Sequence, residues 1–466
     1  MHRGTPRFAK YICTGTLLSA TVNRSRYLHP SITHRLRSTM PPASLPKPLI
    51  ESGEPSMLSR KFGPEVTNYF GGSPLNRVSF LRPDHTFLDA ALRHPSARFL
   101  LLKDLGPLTQ GEENLRYVDW ADVGSVIDSG NGGPYGKTEE EVIKEYDSRA
   151  WVPQILFLGL DRRTADENAF SYKDRYRGTP VFAVDLSGPS TLDPKAASSP
   201  AKEAADALVK KYTDMGGEFV VNRMFLNLVP EEAAIYAAAR HTMDWNQRNP
   251  FCAQCGNRTL STHAGWKRTC PPTDVAFDTD RPACATRKGV SNLSFPRTDA
   301  VIIVAIVSAD GQKMLLGRSH RFPPSMYSTL AGFLEPGETI EEATRREVWE
   351  EAGVTLNRVV LHSTQPWPYP ANIMVGAIGQ AAPGEDSKAP DLGNDAELEH
   401  ADWFSLEDVR TALKGAEWSE KGIGASDPVG EAPKGVKLKL PPRTAIAHQL
   451  MEAVCNGGFV GGITKI

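Results

Sequence analysis

Between Gly332 and Val354 the chain reads GFLEPGETIEEATRREVWEEAGV, the stretch of its 466 residues that leaves the fewest conformational choices. Thr339 followed by Glu342 is a capping box that starts a helix, and Gly353 can take the left-handed conformation that ends it. A loop, a helix and a second loop are therefore expected. On that helix Glu347, Glu350 and Glu351 fall at i, i+3 and i+4, so the three carboxylates share one face. Like charges crowded in this way repel one another. Hard cations such as Mg²⁺ or Mn²⁺ remove the repulsion, and they can also bridge a diphosphate, neutralise the charge it develops and activate water. Glu-rich helices are more commonly solvated faces, so three carboxylates alone do not decide the matter.

The fixed residues around them do. Gly332, five residues, Glu338, seven residues, Arg346-Glu347, an apolar residue, any residue, Glu350-Glu351, any residue, Gly353 and an apolar residue together resemble the signature of Nudix hydrolases, with every position filled. The resemblance implies a divalent-metal pyrophosphatase. It makes Glu347 and Glu351 the principal metal ligands, Glu350 a ligand or base, and the Ala331 carbonyl an additional ligand, with Arg346 and Glu338 bracing the loop. In the same family a later carboxylate often precedes an Ala-x-Trp strand; matching on Trp403 gives Glu397, with Glu399 as its rival.

Ten residues past the box, Gln365-Pro366-Trp367-Pro368-Tyr369-Pro370 is similar to the Ser-Gln-Pro-Trp-Pro-Phe-Pro motif of NADH pyrophosphatases, with Thr364 for Ser and Tyr369 for Phe. Three prolines fix the backbone cheaply, while an amide and two aromatic faces are offered to a nucleotide. The alternative is a rigid turn that packs two aromatics into the core. Taken with the box, the resemblance implies hydrolysis of NADH or NAD⁺ to the nicotinamide mononucleotide and AMP. Carried over by position, it makes Phe295 and Phe333 candidates to stack on the nicotinamide, and Gln365, Pro366, Trp367, Pro368, Tyr369, Pro370, Ala371, Asn372 and Ala447 candidates for substrate contact. Asn68 to Arg82 and Phe295 to Asp299 resemble further segments of these enzymes. Rival substrates are ADP-ribose, diadenosine compounds and NAD-capped RNA; a non-catalytic nucleotide-binding scaffold is the competitor from outside enzymology, and the intact carboxylate set argues against it.

Cys252-Ala-Gln-Cys255-Gly256 is a metal-binding knuckle, and Cys270 follows a basic-aromatic stretch, as in the family's zinc ribbon. Four thiolates around Zn²⁺ would stabilise a segment too short for a core of its own. Thirteen residues separate Cys270 from Cys284, longer than the usual second knuckle, yet a loop of this size costs little entropy. Cys284 is accordingly expected as the fourth ligand, with His263 as the alternative. Clustered cysteines of this kind fit a reducing compartment better than a disulfide framework.

The length calls for two or three domains. Short apolar runs such as Phe99 to Leu102, Ile155 to Leu160 and Val181 to Leu186 read as strands, and the Ala-rich stretch from Glu231 to Trp245 as a closing helix. The expected order is a targeting or disordered segment over 1–60, an amino-terminal NADH pyrophosphatase-like domain over 65–248, a zinc ribbon over 249–296, a Nudix domain over 297–456 and a tail over 457–466. The fold class is α/β (α+β): a Nudix fold with a zinc ribbon and an amino-terminal Nudix-like α+β domain. With 53 basic and 55 acidic residues, no overall charge attracts nucleic acid or membrane, so an anionic substrate must be held locally. No apolar run is long enough for a membrane helix. The Arg- and Ser-rich first fifty residues suit an organellar presequence or a disordered tail, and Thr464-Lys465-Ile466 resembles a peroxisomal tripeptide. Mitochondrion and peroxisome are thus the expected compartments, with the cytoplasm as the default, and the family resemblance implies a homodimer.

Overall fold

Asp299–Val307 reads DAVIIVAIV, after its first residue an unbroken apolar run of the kind that is covered on both faces. In the computed structural model it is the centre of a six-stranded sheet. Ile303, Ala305 and Val307 point into a core closed by the helices Leu406–Ala416 and Ile446–Cys455, while Ile302, Val304 and Ile306 point into one closed by the helix Ile340–Ala352. The structure describes residues 66–457 except 112, 129–132, 165–168, 189–199, 223–225, 278, 289–291, 395–396 and 417–437. The presequence and the terminal tripeptide Thr464-Lys465-Ile466 lie outside those residues. Among the described residues no helix is long and apolar enough to cross a membrane.

The carboxy-terminal sheet runs Leu356–Trp367, Asn372–Ala381, Asp299–Val307, Lys313–Ser319, Leu398–Ser405, with Leu330–Phe333 as a further partner of Asp299–Val307. Only the pairing of Asp299–Val307 with Asn372–Ala381 is parallel. An amino-terminal sheet repeats this plan: Ile155–Asp161, Thr179–Asp185, Arg98–Lys103, Gly106–Gln110, Glu218–Phe219, with Tyr117–Val118 added to Arg98–Lys103 and again one parallel pair, between Arg98–Lys103 and Thr179–Asp185. Leu75–Asn76 extends its outer edge. The layering is repeated as well. Leu100 and Leu102 face the helix Pro230–Arg248, and Phe99 and Leu101 face the helix Trp120–Ile127, which occupies the place of Ile340–Ala352. That helix reads WADVGSVI. Its single carboxylate, Asp122, is held by Lys211 and by the hydroxyl of Tyr212, so the amino-terminal lobe repeats the layering of the carboxy-terminal one without the acidic face.

The two lobes are pinned together by side-chain amides. Gln365 is 1% exposed; its Nε2 donates to the carbonyls of Tyr69 (2.9 Å) and Thr444 (2.8 Å), and its Oε1 accepts from Ile446 N (2.9 Å). Asn68 Nδ2 donates to Ser363 Oγ at 3.0 Å and to the Thr364 carbonyl at 2.9 Å. The proline motif is less of a turn than its composition suggests. Gln365, Pro366 and Trp367 continue the strand Leu356–Trp367, which tolerates Pro366 because it is the edge of its sheet, and only Pro368 to Ala371 turn back. Replacing Gln365 by Ala leaves two buried backbone groups and one half-buried one without this partner, at roughly 1 kcal/mol or more each. Urea denaturation of Gln365→Ala should therefore show a loss of about 3 kcal/mol; an unchanged midpoint would mean that the lobes are held together in some other way.

Candidate functional site

The box folds as its residues dictate. Thr339 and Glu342 exchange the two capping bonds, Thr339 N donating to Glu342 Oε2 (2.8 Å) and Glu342 N to Thr339 Oγ1 (3.2 Å), and Gly353 ends the helix at φ 67°. Val348 and Val354, the two apolar positions, are buried, and Trp349 between them faces solvent. Gly332 is fixed by contact: a Cβ there would stand 1.9 Å from the Glu347 carboxyl carbon, so the backbone of Leu330–Phe333 lies directly on that carboxylate. This brings the Ala331–Gly332 backbone and Glu347 together.

Arg346 organises the rest. Its guanidinium makes a two-pronged contact with Glu338 (2.5 and 2.8 Å), donates to Glu347 Oε1 (2.7 Å) and Glu350 Oε2 (3.1 Å), and binds the Phe333 carbonyl (2.9 Å). Those hydrogen bonds hold the Glu338 carboxyl below the usual carboxylate range, and Glu338 in turn raises the Arg346 pKa. Glu347 and Glu351 are 7% and 5% exposed. Carboxylates buried so deeply need positive charge beside them, and a divalent cation at their face fits the donor set. Glu397 stands half-buried just before the strand Leu398–Ser405, whereas Glu399 is engaged by Arg318 (2.7 Å) and faces His320.

The expected substrate contacts divide by exposure. Phe295 and Phe333 are open, at 41% and 39%. Pro366, Trp367, Tyr369, Pro370 and Ala371 are half-buried, while Pro368 and Asn372 are buried. Trp367 and Tyr369 lie edge-on to one another (5.6 Å) and to Phe70 (6.1 Å each), so the packing role and the binding role are not exclusive. Gln365 and Ala447 are closed off. The Gln365 amide has its donors and acceptor occupied within the protein, and Ala447 belongs to the core beneath the sheet, so both position the site from within. The lobe-bridging use of Gln365 had no local signal, since its partners lie 296, 79 and 81 residues away.

The four cysteines converge, with Sγ atoms within 4.8 Å of one another. Cys252 to Cys284 is 3.7 Å and Cys255 to Cys270 is 3.5 Å, against the sulfur separation of about 3.8 Å that a tetrahedron with Zn–S bonds of about 2.3 Å requires. The long spacing is absorbed by a small hairpin, Thr273–Asp274 with Thr279–Asp280. Asp274 pairs with Arg281 beneath it and accepts from Ser148 N (3.1 Å), which ties the hairpin to the amino-terminal lobe and returns Cys284 to the cluster. His263 is turned elsewhere, its Nε2 3.1 Å from Glu139 Oε2.

Comparison with known proteins agrees with this arrangement. Residues 296–423 match the NUDIX domain and residues 247–277 the NADH pyrophosphatase zinc ribbon domain, a match that stops short of Cys284. A Schizosaccharomyces pombe protein named NAD-capped RNA hydrolase is 32% identical over 405 residues, covering 86% of this chain and 96% of that one. The human NAD-capped RNA hydrolase NUDT12 is 33% identical, over 83% of this chain and 73% of its own length. The mouse mitochondrial NAD(P)H pyrophosphatase NUDT13 is 32% identical over 58% of this chain and 66% of its own. The chain belongs to the Nudix hydrolases, in the family whose members carry an NADH pyrophosphatase zinc ribbon.

Zinc content tests the thiolate cluster. The purified chain should contain one zinc ion, and Cys284→Ser should release it at chelator concentrations that leave the parent loaded, with loss of ribbon order. Full zinc retention in Cys284→Ser would remove Cys284 from the ligand set.

Proposed function

We propose that the chain hydrolyses the pyrophosphate bond of NADH and NAD⁺, yielding the nicotinamide mononucleotide and AMP. The observation that carries this reading is the contact of the Gly332 backbone with buried Glu347, on the helix that also presents Glu350 and Glu351, next to the exposed ring of Phe333. Mg²⁺ or Mn²⁺ bound there would neutralise the diphosphate and activate a water. Glu347, Glu351, the Ala331 carbonyl and Glu397 are the proposed ligands, and Glu350, half-buried and steadied by Arg346, is the proposed base or further ligand. Phe333 and Phe295 would stack on the nicotinamide, and the half-buried part of the proline turn would border the substrate.

Replacing Glu351 by Gln should lower turnover by about two orders of magnitude or more with the fold intact, read as AMP formed from NADH by mass spectrometry. Undiminished turnover would refute the ligand assignment. A far higher kcat/KM for ADP-ribose than for NADH would refute the dinucleotide reading while leaving the fold standing.

A second reading, that the dinucleotide is the 5′ cap of an RNA, is favoured by the names of the fungal and human relatives. We further read the chain as a homodimer: Val360 and Leu361 are 44% and 48% exposed on the edge strand Leu356–Trp367. Sedimentation should give twice the 51.0 kDa chain mass, and a monomer at micromolar concentration would contradict this. A mitochondrial address is supported by the names of the mouse and human NUDT13 relatives.

A further inference from the structure

Where the amino-terminal lobe, the ribbon and the proline turn meet, three arginines stand without an ion-pair partner among the described residues. The Arg82 guanidinium lies 3.7 Å from the centre of the Trp266 ring and Arg77 lies 6.0 Å from it. Arg82 Nε is buried with no hydrogen-bond partner. Arg240 lies 4.5 Å over the Tyr369 ring and donates to the Pro368 carbonyl. Next to Arg240 in sequence is His241, a half-buried ring close enough to feel both Arg240 and Arg77. Burial, then Arg240, pushes His241 down to about 4, so it is neutral and adds no charge of its own. The nearest carboxylate on the same helix, Asp244, is engaged by Arg248 at 2.8 Å. Burial, and then the neighbouring Arg77, lower Arg82 to about 10.

Aromatic surface accompanies the charge. Phe80, between Arg77 and Arg82 in sequence, is 63% exposed, and its ring meets Tyr176 edge-on at 5.4 Å. Arg175 adds a further cation against Tyr176. Guanidinium groups interleaved with open rings match a chain of alternating phosphates and bases, because phosphate takes the forked donors and any base can stack.

We propose that Arg77, Arg82 and Arg240 form a track for the sugar-phosphate backbone of an RNA chain joined to the dinucleotide, with Phe80 as a stacking face; the proposal rests on the reading of this chain as a pyrophosphatase of NAD-type dinucleotides. The track opens beside the box. Arg240 holds the turn that leads into Asn372, Asn372 pairs with Asp299, and two residues along that strand Val301 pairs with Phe333. A free dinucleotide has no phosphate to send along it, whereas a capped RNA has one per nucleotide.

Binding of a 5′-NAD-capped RNA of about ten nucleotides to the full chain, with NADH as the comparison, tests the track over a range of salt. In the Arg77→Gln/Arg82→Gln variant the Kd for the capped RNA should rise about tenfold near 0.1 M salt, and the slope of log Kd against log salt should fall by roughly 1.4, while Kd and turnover for NADH stay within about twofold. Arg77→Gln alone should show about half the change in slope, and the double Lys variant should restore the slope. Equal losses for RNA and NADH would make the arginines structural and overturn the proposal, as would an unchanged slope. Because binding is read without turnover, a parent chain that binds capped RNA along this track but hydrolyses neither substrate would overturn the pyrophosphatase reading and not the track.

Discussion

The approach of a glycine backbone to a buried carboxylate is the constraint around which this molecule is organised. Gly332 must be glycine because Glu347 fills the space of a side chain, and Glu347 can be buried there because Arg346 binds it from the side. Arg346 also reaches Glu338 and the Phe333 carbonyl, so one guanidinium fixes loop, strand and helix relative to one another. That rigidity is what electrostatic catalysis at a diphosphate needs, since groups that are already oriented require no reorganisation when charge develops.

The surrounding architecture serves that contact twice over. The carboxy-terminal sheet carries the acidic helix, and an amino-terminal sheet of the same strand order carries a helix whose single carboxylate is bound to a lysine and a tyrosine. Among the described residues the helix of the second lobe therefore offers no second acidic face of this kind. Its opening residues, Asn68 and Tyr69, hold the strand that leads into the proline turn, and its long helix Pro230–Arg248 supports that turn through Arg240.

Much of this was legible in the sequence because the decisive signals are local. The capping box, Gly353 and the i, i+3, i+4 carboxylates are read within 23 residues, and the apolar runs at Phe99, Ile155, Val181 and Val301 each became a strand. The Ala-rich stretch formed the helix Pro230–Arg248. What the sequence hid is non-local. The repeated strand order has no repeated motif, because sheet topology depends on alternating apolar positions that many residues satisfy. Gln365 reads as a ligand-facing amide from its motif, and its burial follows only from carbonyls far along the chain. Likewise the thirteen residues before Cys284 give no sign of a hairpin until the buried Asp274–Arg281 pair is seen.

Anomalous diffraction at the manganese edge, from crystals of Glu351→Gln grown with NADH and Mn²⁺, tests the central claim most directly. Manganese should lie roughly 2 Å from a Glu347 carboxylate oxygen and from the Ala331 carbonyl, with the dinucleotide's bridging phosphates on its open side. Manganese and diphosphate bound together away from Glu347 would contradict it.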